Sequence, residues 1–310
     1  MEVSDTLLES VFNLAKPSAA LGQTARYIPE LAKANPCDFG IALACADGKE
    51  YTAGLAGKRF SIQSISKAFS LLLVLETQGP DAVFSRVGKE PTGDPFNSII
   101  RLETSSDKKP FNPFINAGAI VVAGMLPGNS AEARVNALRS FLETLLGLVP
   151  GSVLANNKVF SSERETGARN RAIAWFLREQ RLVEDDVDAV LDTYFMQCSI
   201  MLSARELARV GLILALDGYD PIAKTRRFSE QSAHICKSLM VTCGMYDGSG
   251  EFAVETGIPA KSGVGGGILA AVRDRMGIGV YGPALDPRGN SCVGLEALSL
   301  LSRELDLRVL

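Results

Sequence analysis

The residues of this chain best suited to breaking a bond are a serine and a lysine three positions apart, Ser64 and Lys67. A serine hydroxyl is a weak nucleophile until a base takes its proton, and an amine serves as that base once burial has lowered its pKa. The same SxxK spacing recurs at Ser105–Lys108 and Ser106–Lys109, so the bare pattern decides nothing. Context separates the three. The two later matches sit in TSSDKK, a polar stretch with the character of a solvated loop. Ser64 lies where a strand-like run, RFSIQS, meets an apolar helical run, KAFSLLLVLE. Its hydroxyl would stand at a helix N-terminus, whose unpaired N–H groups favour developing negative charge. The i, i+3 spacing puts Lys67 on the same helical face. The competing reading makes Ser64 an N-cap and Lys67 a surface charge, and a second element is needed to decide.

That element is Lys261-Ser262-Gly263-Val264-Gly265-Gly266-Gly267, a basic residue followed by small residues and a strand. Glycines let a substrate approach the backbone closely, so an N–H exposed here could hold an oxyanion. Taken alone, the stretch reads equally well as a flexible turn. Other chemistries fall away. The only histidine, His234, has no carboxylate or cysteine at ligand spacing, which excludes a histidine-based zinc site and leaves one base for any Ser-His-Asp triad. No GxSxG elbow or P-loop is present. One GxGxxG match, Gly277 to Gly282, is followed by Pro283 and Pro287, so it cannot open the helix a dinucleotide site requires and reads as a Gly-rich strand end. No metal and no cofactor are expected.

The elements that must position these groups can be read from periodicity. Residues 5–14 predict a helix stopping before Pro17, and 39–46 with 50–55 predict a hairpin turning at Asp47-Gly48 with both turn residues at positive φ. From 65 to about 240 the pattern is mostly helical, with helices at 66–77 (ended by Gly79-Pro80), 131–146, 166–181, 184–194 and 204–216. Strand character returns at 251–256, 267–273 and 277–281, before a helix at 293–306. This order fits an α+β fold: an antiparallel sheet built from both chain ends, flanked by helices, with a large helical insert. We expect a single domain over 1–310, with 1–64 and 241–310 carrying the sheet and 65–240 the helical part.

Composition agrees with a large core and a small-molecule partner. Of 310 residues, 46% are hydrophobic and 22% charged, and the net charge of -3 offers no footprint for nucleic acid or an anionic membrane. The N-terminus lacks a signal peptide's basic region, the apolar run at 68–76 is too short to span a bilayer, and six scattered cysteines without CxxC spacing suit reduced thiols. These features predict a cytoplasmic protein.

The succession of SxxK, helical insert and K[ST]G on a strand resembles the penicillin-recognising serine enzymes of β-lactamase/transpeptidase fold. Further segments, SIQSISKAF, NPFINAGAI, SSERETGARNRAIA, DTYFMQCS, GMYDGSG and KSGVGGGI, follow the order found in the serine-dependent glutaminases, which the chain resembles over nearly its whole length. The resemblance implies hydrolysis of L-glutamine to glutamate and ammonia by a homodimer or homotetramer. It implies Ser64 as nucleophile, Lys67 as base, Tyr194 sharing proton transfer, the N–H groups of Ser64 and Val264 holding the oxyanion, and Lys261 lending positive field. Tyr194-Phe195-Met196 lacks the Asn of the SxN or YxN motif, which argues against a penicillin substrate. Glu163 suits the α-ammonium of glutamine, with Asn116, Asn170 and Tyr246 completing the clamp and Gln63 in the pocket wall. Glu163 and Asn170 are seven apart and would share a face if their segment is one helix. A β-lactamase or D-Ala peptidase and a catalytically silent glutamine-binding protein are the competing readings; intact Ser64, Lys67 and Tyr194 count against the second.

Overall fold

The computed structural model describes residues 2–93, 98 and 108–308; Ser105 and Ser106 lie outside them. Helix α1 (Asp5–Ala15) begins at Ser4, whose hydroxyl accepts from Leu7 N, and buries Leu8, Val11 and Ala15, one apolar stripe at helical spacing. Strands β1 (Gly40–Cys45) and β2 (Glu50–Gly54) pair antiparallel as expected. Their connection differs from the expected two-residue turn. Gly48 N–H donates to the Cys45 carbonyl, and of the turn residues only Gly48 has positive φ, at 86°. This is a three-residue loop closed by a left-handed glycine, a geometry that leaves Asp47 free of strain and lets its carboxylate accept from Lys49 N.

Strand β3 (Phe60–Ser61) leads through a single 3-10 turn, Gln63–Ile65, into helix α2 (Ser66–Arg86). The expected break at Gly79-Pro80 is a kink: Gly79 leaves the helical region (φ 80°) and the helix resumes with Pro80. Proline suits a first helical position, where its missing N–H costs nothing. The helical part continues with α3 (Asn116–Gly124), α4 (Ala131–Leu146), α5 (Asn157–Thr166), α6 (Ala168–Glu179) and α7 (Val187–Cys198). The helix expected at 166–181 runs from Ala168 to Glu179; Gly167 (φ -80°, ψ 26°) separates it from α5, and a Cβ there would come within 2.6 Å of the Phe195 ring. The helix expected at 184–194 starts later because Asp186 caps it, accepting from Ala189 N. Strand β4 (Met201–Leu202) pairs with β3, and α8 (Ala204–Ala215) opens with a capping box of Ser203 and Glu206. A short hairpin, β5 (Tyr219–Asp220) and β6 (Thr225–Arg226), precedes α9 (Glu230–Cys243).

The strand expected at 251–256 is a helix, α10 (Ser249–Glu255). Phe252 is buried while Val254 is 82% exposed. Residues two apart share a face in a strand but diverge in a helix, and only the helix satisfies that burial. Strands β7 (Ala260–Gly263), β8 (Gly267–Val272) and β9 (Met276–Tyr281) complete one antiparallel sheet in the order β2-β1-β9-β8-β7, and α11 (Cys292–Leu305) ends the fold. The sheet thus joins the first strands to the last. One core lies between the sheet, α1 and α11; a second runs from the opposite face through α8 into the helical part. Helix α8 seats directly on β9: a Cβ on Gly279 would fall 1.9 Å from the Ala204 carbonyl oxygen, and one on Gly277 2.1 Å from that of Ala208. The GxGxxG match is therefore a landing strip for a helix backbone. Among the described residues no helix is long and apolar enough to cross a membrane.

Candidate active site

Ser64 sits in the 3-10 turn that feeds α2, so its backbone is part of a helix start. The turn is held from three sides. Gln63 Nε2 donates to Ser61 Oγ (2.8 Å), Ser61 Oγ donates to the Cys198 carbonyl (2.9 Å), and Ser66 Oγ donates to the Gln63 carbonyl (2.7 Å). These bonds keep Gln63, the residue before the serine, at φ 49°, a conformation that costs about 1–3 kcal/mol for a non-glycine side chain. The edge strand β7 runs alongside: a Cβ on Gly263 would meet the Ile62 carbonyl at 2.4 Å and one on Gly265 the Ser61 carbonyl at 2.0 Å. The glycines of KSGVGGG are thus required to bring Val264, in the loop between β7 and β8, beside the serine turn.

Lys67, the second residue of α2, is buried, and burial pulls its ammonium pKa down to about 8. Its Nζ donates to the Phe114 carbonyl (3.0 Å) and to Asn116 Oδ1 (2.8 Å) and lies 5.9 Å from the centre of the Tyr194 ring. Asn116, the first residue of α3, passes the contact on: its Nδ2 donates to Asn170 Oδ1 (2.9 Å) in the first turn of α6. Glu163, near the end of α5, is buried, and burial drives its carboxyl up to about 7, against the opposing effects of a Gln63 hydrogen bond and the Lys67 charge. One of its oxygens has no partner, an arrangement that awaits a donor.

Ser64, Gln63, Asn116, Glu163, Asn170, Tyr194 and Val264 all line one cavity of about 170 Å³. Glu163 and Asn170 reach it from two helices, not from one face of one helix, so the geometry expected from their spacing is not the one that brings them together. The Tyr246 hydroxyl interacts with the Ser64 side chain and the Val264 N–H, and burial holds its pKa above the ordinary phenol value. Tyr194 is raised by burial as well. Lys261 is fully buried and is not among the residues lining the cavity; its Nζ is 4.7 Å from the centre of the Tyr246 ring. Tyr27, Ile28, Thr166, Gly167, Arg169 and Cys198 also line the cavity and were not singled out from the sequence. Cys198 follows Tyr194 by four residues on α7, a helical spacing that could have found it. Tyr27 and Ile28 come from an irregular segment with no readable signal. Among the described residues no cluster of histidine, cysteine, aspartate or glutamate could hold a metal.

The arrangement can activate a hydroxyl, accept a developing oxyanion between two chain segments and pair with a cationic group through Glu163. The family model described as Glutaminase matches residues 22–310. Glutaminase 2 of Clostridium perfringens is 49% identical over 97% of this chain and 98% of its own length. A Bacillus glutaminase crystallised in 4.3 M NaCl superposes with a TM-score of 0.91 at 41% identity, covering 99% of both chains. The Bacillus subtilis glutaminase YbgJ, solved as a covalent complex with 5-oxo-L-norleucine formed from 6-diazo-5-oxo-L-norleucine, superposes with a TM-score of 0.90 at 39% identity over 99% of both chains. The expected fold, of β-lactamase type with its antiparallel sheet between helices, is the one these structures share with the chain.

Proposed function

The chain belongs to the glutaminase family, hydrolases of amide bonds, and on that premise we propose that it converts L-glutamine to glutamate and ammonia through an ester on Ser64. The observation that carries the reading is Glu163: a buried carboxylate with an unpartnered oxygen, in the same cavity as Ser64, fits the α-ammonium of an amino acid whose γ-amide reaches the serine. Neutral Lys67 takes the Ser64 proton as Oγ attacks the γ-carbonyl carbon. The oxygen's new charge is held by the N–H groups of Ser64 and Val264. Collapse breaks the C–N bond, and the leaving nitrogen takes a proton relayed by Lys67 and Tyr194 to depart as ammonia. Water then attacks the ester, its proton returns by the same route, and glutamate leaves with Ser64 restored. Asn116 and Asn170 complete the clamp and Gln63 shapes the wall, while Tyr246, expected in the clamp, stands instead beside the reacting hydroxyl of Ser64.

The YbgJ complex supports a nucleophile in this family that attacks a glutamine analogue. All six cysteines are unpaired and five are buried, which suits a reducing cytoplasm, and we propose a homo-oligomer there, a dimer or tetramer. The decisive experiment is reaction of the purified protein with 6-diazo-5-oxo-L-norleucine followed by peptide mapping. The label should fall on Ser64 with loss of ammonia release. A label on another residue, with Ser64 unmodified, would overturn the assignment.

A further inference from the structure

Lys261 does not reach the cavity, yet it is wholly buried, and its surroundings show what it holds. Its Nζ donates to the Gly244 carbonyl (3.1 Å) and the Ser262 carbonyl (2.6 Å), with the Tyr246 ring centre at 4.7 Å and the Phe114 ring centre at 5.6 Å. Gly244 begins the turn that ends in Tyr246, and Tyr246 stands at φ 56°, in the left-handed region that a bulky aromatic residue adopts only when its surroundings force it. The forcing is visible at each residue. The Gly244 carbonyl accepts from both Lys261 Nζ and Ser262 N (3.0 Å). Met245 N donates to Ser249 Oγ (3.0 Å), which donates onward to the Tyr246 carbonyl (2.8 Å). Asn290 Nδ2 donates to the Met245 carbonyl (3.3 Å). A Cβ on Gly244 would fall 1.8 Å from the Ala260 carbonyl oxygen, so the turn has no room to shift toward β7.

We infer that Lys261 is a positioning residue, whose amine ties the Gly244 turn to β7 and packs against the Tyr246 ring so that the Tyr246 hydroxyl is aimed at Ser64 and Val264. The inference rests on the Ser64 reading. Two N–H groups satisfy two carbonyls, and a neutral amine has two. Burial, with the nearby Lys67 charge, pulls the Lys261 pKa far below its ordinary value. A role as a tether survives loss of the proton, whereas a role as a source of positive field does not.

The test is a double-mutant cycle with Tyr246→Phe, read in kcat, KM and the pH profile, each variant checked by circular dichroism. Lys261→Met should lower kcat on the order of 10²-fold, the cost of a misplaced group. KM should stay within about threefold, because the residues assigned to the amino-acid clamp on the helices are untouched. The double variant should be within about threefold of Tyr246→Phe alone, since the tether acts only through that hydroxyl. Lys261→Gln, which keeps a donor for the Gly244 carbonyl but no charge, should recover part of the lost kcat, and it carries the same cycle if the Met variant does not fold. Losses that multiply, a Gln variant no better than Met, or a parental kcat in Lys261→Met would each overturn the inference. Failure of the Ser64 reading would show separately, as 6-diazo-5-oxo-L-norleucine label on another residue of the parental protein.

Discussion

One wall of the cleft is made of turns and the other of helices, and they are held by different means. On the turn wall, Gln63 and Tyr246 both adopt left-handed backbone, and glycines at 263 and 265 press carbonyls of the serine turn at distances no side chain permits. On the helix wall, Asn116 and Asn170 occupy ordinary first turns, and Glu163 lies near the end of a third helix. On the proposed mechanism, strain is concentrated where the bond would break and regular structure where the substrate would be held. A hydrogen-bonded link from Lys67 through Asn116 to Asn170 crosses from one wall to the other. If the division is functional, changes on the turn wall and at the proposed proton-transfer pair Lys67 and Tyr194 should fall on kcat, and changes at Asn116, Glu163 and Asn170 on KM.

The hardest test of that division is Ser64→Ala. Turnover should vanish, while glutamate binding measured by calorimetry should stay within a few-fold of the parent, because the helix wall is intact. A variant that lost binding along with turnover would show that the walls do not act separately. Next come Lys67→Ala and Tyr194→Phe. Each should lower kcat by about 10²–10⁴-fold, and the double variant should be far less impaired than the product of the two if they work as one proton-transfer unit. Independent, multiplying losses in single-turnover measurements would separate them.

A smaller effect is expected from the opposite wall. Glu163→Gln should raise KM by about 10- to 150-fold, from roughly 1.5–3 kcal/mol for a charge-assisted bond, with kcat little changed. A fall in kcat at unchanged KM would move Glu163 to the reacting side. The mildest test is pH. Glu163, raised to about 7, must be ionised to pair with an ammonium, and Lys67, lowered to about 8, must be neutral to take a proton. Both requirements are lost as pH falls, so kcat/KM should climb through this range with two apparent pKa values belonging to the coupled pair. Glu163→Gln should leave only the upper one, and a profile still showing both would assign the lower to another group.

The turn wall was the more legible in the sequence where it uses special residues, although its two left-handed side chains, Gln63 and Tyr246, carry no such sign. Ser64 and Lys67 declared themselves by spacing at a strand-to-helix junction, and the glycines after Lys261 by the close approach they allow. The helix wall used common residues, and Glu163 and Asn170 were named through the family resemblance; the one-helix argument for them missed the break at Gly167, whose backbone leaves the helical region. The strand expected at 251–256 failed likewise, since an aromatic and β-branched run says nothing about which of its side chains will find a core. Tyr27 and Ile28 entered the cavity by tertiary placement alone. The hairpin at Asp47-Gly48 was right in place and wrong in type, because the dipeptide fits both a two-residue turn and a three-residue loop with glycine last.

The sheet order has a consequence for how the molecule is made. Strand β1 lies between β2 and β9, so during synthesis it emerges early and waits for a partner that comes after the whole helical part. Until β9 arrives, one edge of the β1–β2 ribbon has nothing to bond, and such edges recruit strands from other chains. Pairing so remote in sequence also carries a loop-closure cost, which grows only slowly with the length bridged, and contacts of such long range slow folding. The serine turn is complete long before the loop that brings Val264 to it. A ribosome-bound fragment therefore carries the proposed nucleophile without the loop it would work with, and the final strands decide at one moment both the closing of that edge and the completion of the site.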